Sequence, residues 1–213
     1  DRAEFIYADI EVALADDERR PDGTDIFRSR RPELYRAICT DPATQVLPAM
    51  RGPAQALVGL VQLAAACDLD EACARVAEAA AAGACLIALP PLAGDPADPA
   101  AAIARGAAAI ERLAASCGDA CVATTVLLPD HSAAYRHSGV LIDRSGIIHE
   151  QAQVHRSVRF AGSALADGFA AADLPCGRVA VVTSDDSIYP ETFRLLALAG
   201  VETAVVPLSP LED

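Results

Sequence analysis

Three side chains in the second half of the sequence could carry out nucleophilic chemistry. Ser184 and Asp186 stand at a strand-to-helix turn, and His155 lies earlier in the chain. A serine hydroxyl becomes a nucleophile when a nearby base takes its proton, and either Asp186 or His155 could be that base. Each residue also has a structural interpretation, which we favour. Ser184 would bond backbone amides of the turn, Asp186 would cap the following helix, and His155 would be packed in the core.

The residue types that are missing exclude several kinds of chemistry. All 17 basic residues are arginines, and the chain has no Lys, Asn or Trp. A Schiff-base lysine, a Walker-type phosphate-binding lysine and N-glycosylation are therefore excluded. The net charge of −13 and the aromatic content of 4% disfavour nucleic acid and anionic membranes as partners. We expect partners that are small molecules or other proteins, and we expect no cofactor.

The sequence gives no metal-binding pattern. Seven cysteines show no C-x-x-C spacing, and they are interpreted as reduced thiols of a soluble cytoplasmic protein: Cys39, Cys67, Cys73, Cys85, Cys117, Cys121 and Cys176. His131 and His137, with Asp130 beside them, are weak metal candidates because no third ligand is evident. No apolar run is long enough for a membrane span.

From residue 56 onward, apolar strand-like runs alternate with helix-like segments. Asp68 and Gly83 are typical residues at the start and end of a helix, and Pro190 and Gly200 delimit another. Arg144-Ser145-Gly146 is typical of a hairpin turn. We predict strands at Ala56–Leu63, Ala84–Leu89, Ala120–Leu128, Ser138–Asp143, Ile147–Gln153, Arg178–Thr183 and Thr203–Val206, and helices at Leu69–Ala82, 99–116 and Pro190–Ala199. This order predicts an α/β fold with helices covering a sheet.

Residues 1–45 differ in composition from the rest. They hold 7 of the 17 arginines, and Glu4–Val12 alternates well enough to predict a strand. The segment from Arg28 to Ile38 is either a short helix interrupted at Pro32 or an arm that lies on another surface. Its charged residues fit an interface arm or a clamp for an anionic ligand: Arg28, Arg30, Arg31 and Glu33. Residues 46–55 are interpreted as a linker and residues 56–213 as the start of a domain.

Three stretches, in this order, resemble the nitrilase or carbon–nitrogen hydrolase superfamily. The first is Val61-Gln62-Leu63, then an alanine-rich helix and the strand ending at Leu89-Pro90. The second is the hairpin from Tyr135 to Gly146, followed by Gln153-Val154-His155. The third runs from Gly177 through Tyr189-Pro190-Glu191 to Gly200, and it is similar to the family's strand, nucleophile elbow and helix. Together they cover Leu57 to Pro207.

The amino-terminal segment also resembles the family, but out of order. Arg30-Arg31-Pro32-Glu33-Leu34-Tyr35 is similar to the arm in the family's carboxy-terminal tail. The resemblance therefore implies a tandem protein. Residues 1–45 would be the tail of a preceding nitrilase-like copy, and residues 56–213 the first part of a second one.

The family's chemistry, as the resemblance implies it, is acyl transfer through a cysteine thiolate, with a glutamate as base and a lysine that stabilises the oxyanion. Pro91 stands at the glutamate position, Gln153 at the lysine position and Ser184 at the cysteine position. Loss of one oxyanion donor alone costs about 10²–10³ in rate, so the loss of all three groups should leave little activity. We expect no intact catalytic site.

The resemblance implies an αββα four-layer sandwich of the nitrilase type, as an incomplete second copy. We expect a catalytically degenerate domain with a scaffolding, dimerisation or regulatory role. Its partner would be another nitrilase-like domain, in the same protein or in a homo-oligomer. Two alternatives stay open: an amidase-type hydrolase of non-peptide C–N bonds that uses Ser184, and a binding module for a small amide or carboxylate.

Overall fold

The computed structural model describes residues 8–208 apart from residues 42–43, 45–47, 51, 54 and 64–67. Five of its strands form one sheet, whose spatial order equals the chain order: β1 (Val58–Leu60), β2 (Leu86–Ala88), β3 (Cys121–Leu128), β4 (Arg136–Asp143) and β5 (Gly146–Ala152). The first three strands are parallel, and β3, β4 and β5 are antiparallel. The predicted hairpin is confirmed, and its turn residue Gly146 has a φ of 108°, which favours glycine.

Two helices connect the parallel strands, and both begin at a capping aspartate. The Asp68 side chain accepts a hydrogen bond from the Asp70 amide at the start of α1 (Leu69–Ala81). The Asp98 side chain does the same for the Ala101 amide at the start of α2 (Pro99–Ser116). The ends of both helices were predicted to within one residue. Their capping aspartates and alanine-rich sequences favour these segments, and in α2 the first residue, Pro99, does so as well.

A second sheet contains three strands, with β7 in the middle: β6 (Ala172–Leu174), β7 (Gly177–Val181) and β8 (Thr203–Val205). Two helices lie between β7 and β8. They are the single turn α3 (Ser184–Ser187) and the longer α4 (Pro190–Leu198), which was predicted from its proline and glycine boundaries. β6 and α3 were not predicted, because segments of three or four residues show no periodicity.

Three of the clusters of buried residues define how the layers pack. The first sheet packs on α1 and α2 through residues such as Val76, Leu113 and Ile142. The two sheets pack face to face through Leu141 and Val181, among others. The second sheet packs on α4 through a smaller cluster: Ala180, Val182 and Leu196. The order of layers is helix, sheet, sheet, helix, and the predicted αββα sandwich is confirmed.

A glycine allows the two sheets to approach each other closely. Gly139 on β4 faces Val181 on β7, and a Cβ built at Gly139 would lie 2.6 Å from the Val181 carbonyl oxygen. Any larger residue would therefore force the backbones of the two sheets apart. His137, Gly139 and Leu141 share this inner face of β4, because alternate residues of a strand point to the same side.

The first strand of the sheet is shorter than the predicted strand Ala56–Leu63, and it is exposed although its sequence is apolar. β1 covers three residues, and the side chains of Val58 and Leu60 are 40% and 83% exposed. The reason is its place at the edge of the sheet, where it pairs with β2 on one side only. Apolar composition alone does not distinguish an edge strand from a central one.

Residues 19–39, which we call the arm, lie against the sandwich. The arm contains two short 3₁₀ helices, Pro32–Leu34 and Arg36–Cys39. Of the two alternatives, one short helix or an arm on another surface, the structure therefore confirms the arm. The strand predicted at Glu4–Val12 is wrong for the part that the structure describes. Residues 8–11 have no regular structure, and a 3₁₀ helix, Val12–Asp16, follows. A strand needs a hydrogen-bonded neighbour, and no described strand pairs with this segment.

Among the described residues, no helix has the length and apolar character needed to cross a membrane.

Candidate active site

The turn after β7 places Ser184 at the start of a helix. Thr183 is the N-cap residue of α3, and its hydroxyl accepts a hydrogen bond from the Asp186 amide at 3.3 Å. Ser184 is half-buried, and its hydroxyl has no hydrogen-bond partner among the described residues. The structural role that we favoured for Ser184, bonding the backbone amides of the turn, is performed by Thr183 instead.

A cavity of about 560 Å³ lies at this turn. We call it the Ser184 cavity. Its wall includes six residues that matter for chemistry: Pro91, Thr125, His137, Arg159, Phe160 and Ser184. The structure therefore brings Pro91 and Ser184, which are far apart in the sequence, to one cavity. The volume is within the range of about 300–1,000 Å³ that is usual for small-molecule sites.

Gln153 is fully buried behind the cavity and orients a histidine. Its side-chain nitrogen donates to the His155 carbonyl at 2.6 Å, and its side-chain oxygen is 2.8 Å from His137 Nδ1. Because that oxygen can only accept, His137 Nδ1 carries the proton. In the neutral ring Nε2 is therefore the basic atom, and in the described part of the chain the ring's hydrogen bond is the one at Nδ1.

The electrostatic surroundings keep His137 neutral. Its ring is stacked on Phe160 with 3.7 Å between ring centroids, and its side chain is almost wholly buried. Burial lowers the pKa of His137 below the ordinary value of 6.5, since it penalises the charged form. The hydrogen bond to Gln153 and the charges of Asp185 and Asp186 oppose this lowering of the pKa, and the nearby charge of Arg159 adds to it.

His155 and Asp186 form a separate, fully buried pair. The Asp186 carboxylate accepts hydrogen bonds from the Val154 amide, from the His155 amide and from His155 Nδ1, the last at 2.8 Å. It also accepts from the Thr183 hydroxyl at 2.9 Å. The His155 ring is stacked on Tyr189 with 3.9 Å between centroids. Sequence reasoning paired neither residue with the other, because the contact joins positions that are 31 residues apart.

The arm reaches this buried pair. The Tyr35 hydroxyl lies 2.7 Å from His155 Nε2. Since His155 Nδ1 donates to the carboxylate, Nε2 is the ring atom that faces the Tyr35 hydroxyl. The hydroxyl of Tyr35, the imidazole of His155 and the carboxylate of Asp186 thus form one hydrogen-bonded chain, which leaves neither base free for Ser184.

Arginines of the arm bind the segment that contains α3 and α4 and the irregular segment after β5. Arg20 pairs with Asp185 at 3.1 Å, and Arg30 pairs with Glu191. Arg31 donates to the Val154 carbonyl and pairs with Asp167, both within 3.3 Å. Of the two alternatives for these arginines, an interface arm or a clamp for an anionic ligand, the contacts support the interface arm.

The described residues contain no group of three or more His, Cys, Asp and Glu side chains placed to hold a metal ion. Asp130, the carboxylate of the weak metal candidate, is held by Arg136 and Ser132. The surrounding positive charge and hydrogen bonds lower the pKa of the Asp130 carboxyl. The described cysteines are all free thiols, and Cys67 lies outside the described residues.

Two residues of the cavity were missed as catalytic candidates. His137 was considered only as a metal ligand, although the alternation of β4 places it on the inner face with Gly139 and Leu141. Arg159 follows β5 in an irregular segment, and nothing in its sequence neighbourhood indicates a site. Both reach the cavity only through the packing of the two sheets.

Two mixed β-sheets packed between helices, with a tight turn from β7 into α3, define a fold of the nitrilase type. A family model, "Carbon-nitrogen hydrolase", matches residues 57–212. The chain belongs to the carbon–nitrogen hydrolase family. A search of curated proteins found no significant match.

Solved structures with the same fold include several of one amidase. A cysteine-to-alanine variant of Nesterenkonia AN1 amidase from the nitrilase superfamily has a TM-score of 0.60 at 19% identity, covering 73% of this chain and 66% of that one. A double variant of the amidase from Nesterenkonia sp. AN1 in complex with acrylamide has a TM-score of 0.60 at 20% identity, with the same coverage. The chain thus spans slightly less than two thirds of these relatives. At this identity, the similarity establishes the fold.

Proposed function

We propose that this chain is a carbon–nitrogen hydrolase domain that has lost the family's thiol chemistry and acts as a scaffolding or regulatory domain. The observation that supports the proposal is which residues line the Ser184 cavity and lie directly behind it. Pro91, Gln153 and Ser184 stand where the resemblance puts the base, the cation and the thiolate. Proline has no proton to transfer, and an amide carries no charge.

No other side chain that the structure describes supplies the missing base, cation or thiolate. The chain lacks lysine altogether, so the ammonium cannot come from another position. The described cysteines are not in the wall of the cavity, and burial raises the pKa of two of them, Cys121 and Cys176, to about 11. Such thiols are protonated at neutral pH and are poor nucleophiles.

A scaffolding role is supported by the way in which the arm is bound. If residues 1–45 end a preceding copy, the pairs formed by Arg20 and Arg30 with α3 and α4 are contacts between two copies in one protein. The buried bond from Tyr35 to His155 would then couple the tail of one copy to the interior of the next. We propose a nitrilase-like domain, in the same protein or a second chain, as the partner.

Sedimentation equilibrium of the purified chain, over a wide range of concentrations, tests the scaffolding role. We expect a mass that rises above that of the 213-residue monomer as copies associate. A monomer at every concentration, which also fails to bind an intact nitrilase-like domain added in excess, would contradict the proposed role.

A further inference from the structure

The wall of the Ser184 cavity places Ser184, at the family's nucleophile position, together with His137 and Arg159, to which the family comparison assigns no role. Ser184 and His137 both line this cavity, and the described residues provide no hydrogen-bond partner for the Ser184 hydroxyl or for His137 Nε2. A free hydroxyl and an unprotonated imidazole nitrogen are the two groups that general-base activation of a serine requires. Arg159, a cation, is in the same wall.

We propose that Ser184 is a nucleophile activated by His137 and that the pair reacts with activated carboxylic esters. The inference goes beyond the proposed function. It concerns ester rather than amide or nitrile substrates, and it does not depend on the scaffolding role.

The reaction balances with water as the only co-reactant. The Ser184 oxygen forms a bond to the ester carbonyl carbon while its proton passes to His137 Nε2. The bond from that carbon to the leaving oxygen then breaks, and the imidazolium returns the proton to the leaving alcohol or phenol. A water molecule, deprotonated by His137, attacks the acyl carbon, and Ser184 is released with its proton. The net change is ester plus water to acid plus alcohol.

The environment of His137 explains why esters are favoured over amides. The group behind the imidazole is the neutral amide of Gln153, which fixes the tautomer but gives no charge to stabilise an imidazolium. Arg159 further disfavours the charged ring. A weak base suits substrates whose leaving group departs without strong protonation, and phenolic esters meet that condition whereas amides do not.

Each of the other polar groups has a definite part. Gln153 is a positioning residue, because it acts through His137 and has no atom in the cavity wall. Arg159, a cation in the cavity wall, would stabilise the oxyanion that forms at the carbonyl oxygen. Asp186 and His155 take no part, since Tyr35 and the backbone of residues 154 and 155 occupy their polar atoms.

Two probes test the pair on the whole chain. The first is a small alkyl fluorophosphonate, in which the serine oxygen displaces fluoride and forms a stable phosphorus–oxygen bond, located by mass spectrometry of peptides. The second is 4-nitrophenyl acetate, followed by release of the phenolate. We expect one phosphonyl group per chain, on Ser184, and its absence in Ser184→Ala. General-base catalysis contributes typically about 10²–10⁴ in rate, so His137→Gln should slow labelling at least about 10²-fold.

A matched control is His131→Gln, which removes an exposed histidine outside the cavity wall and should label at the wild-type rate. If His137→Gln does not fold, Gln153→Glu replaces it. A carboxylate behind the ring should raise the pH at which labelling falls off, whereas a purely structural role for Gln153 would leave the pH profile in place.

The inference is overturned if the phosphonyl group attaches elsewhere, if no adduct forms, or if His137→Gln labels as fast as wild type. These results leave the proposed function intact. Turnover of amides or nitriles would contradict the proposed function without bearing on the adduct.

Discussion

Removal of one hydroxyl from the arm should destabilise the whole domain. In Tyr35→Phe the ring stays, but the bond to His155 Nε2, 2.7 Å in the structure, is lost. Tyr35 is 7% exposed and His155 is 0% exposed, so water cannot replace the missing donor. A buried polar atom left without a partner costs about 1–3 kcal/mol. A domain of this size loses about 2–4 °C of melting temperature per kcal/mol, and we therefore expect a decrease of roughly 2–12 °C.

Thermal unfolding followed by circular dichroism measures this decrease, and Tyr189→Phe is the matched control. Tyr189 is also buried, and burial raises the pKa of its hydroxyl to about 12. Ser29 lies near that hydroxyl, but no hydrogen bond of ordinary geometry joins them. Removal of the Tyr189 hydroxyl should leave the melting temperature unchanged or slightly higher. A Tyr35→Phe protein that melts with the wild type would refute the reasoning that the arm is anchored through His155.

Three further results are expected. Gly139→Ala should lower the free energy of unfolding, measured in urea titrations, by about 1–3 kcal/mol, because the added methyl group meets Val181. The control Gly168→Ala, whose methyl group would enter open space, should lower it little. Equal effects of the two variants would contradict the close contact between the sheets. Burial lowers the pKa of folded His137 below 6.5, so the unfolded chain binds a proton more readily and stability should fall as the pH drops below about 6.5. His137→Gln should weaken that dependence in urea titrations at several pH values, and an unchanged slope would count against a neutral buried ring. Trypsin should cleave between Arg19 and Arg36 slowly in the native protein, and rapid cleavage without a change in melting temperature would mean that the arm is not bound.

Local signals in the sequence were sufficient for most of the sandwich. α2 was predicted from residue 99 to residue 116 because Asp98 and Pro99 favour its start. The hairpin followed from Gly146, whose positive φ other residues rarely adopt. β1 was predicted too long, because its position at a sheet edge is set by its neighbours and not by its own composition.

The site was less accessible to sequence reasoning, because its contacts are long-range. The sequence indicated Asp186 and His155 as possible bases for Ser184. It does not determine in which direction either side chain points. Both are held by Tyr35 and by backbone amides. His137 reaches the cavity because β4 packs against the second sheet, and a single strand carries no signal for that packing.

The central claim is that the cavity cannot perform the family's hydrolysis of carbon–nitrogen bonds. Ammonia release by the purified chain from a panel of short aliphatic amides and nitriles, with Ser184→Ala measured in parallel, tests that claim most directly. We expect the wild-type chain and the variant to release ammonia at the same background rate, because Pro91, Gln153 and Ser184 provide neither a thiolate, nor a strong base, nor an ammonium group. Turnover well above background that disappears in Ser184→Ala would contradict the account and establish Ser184 as the nucleophile of an active amidase or nitrilase.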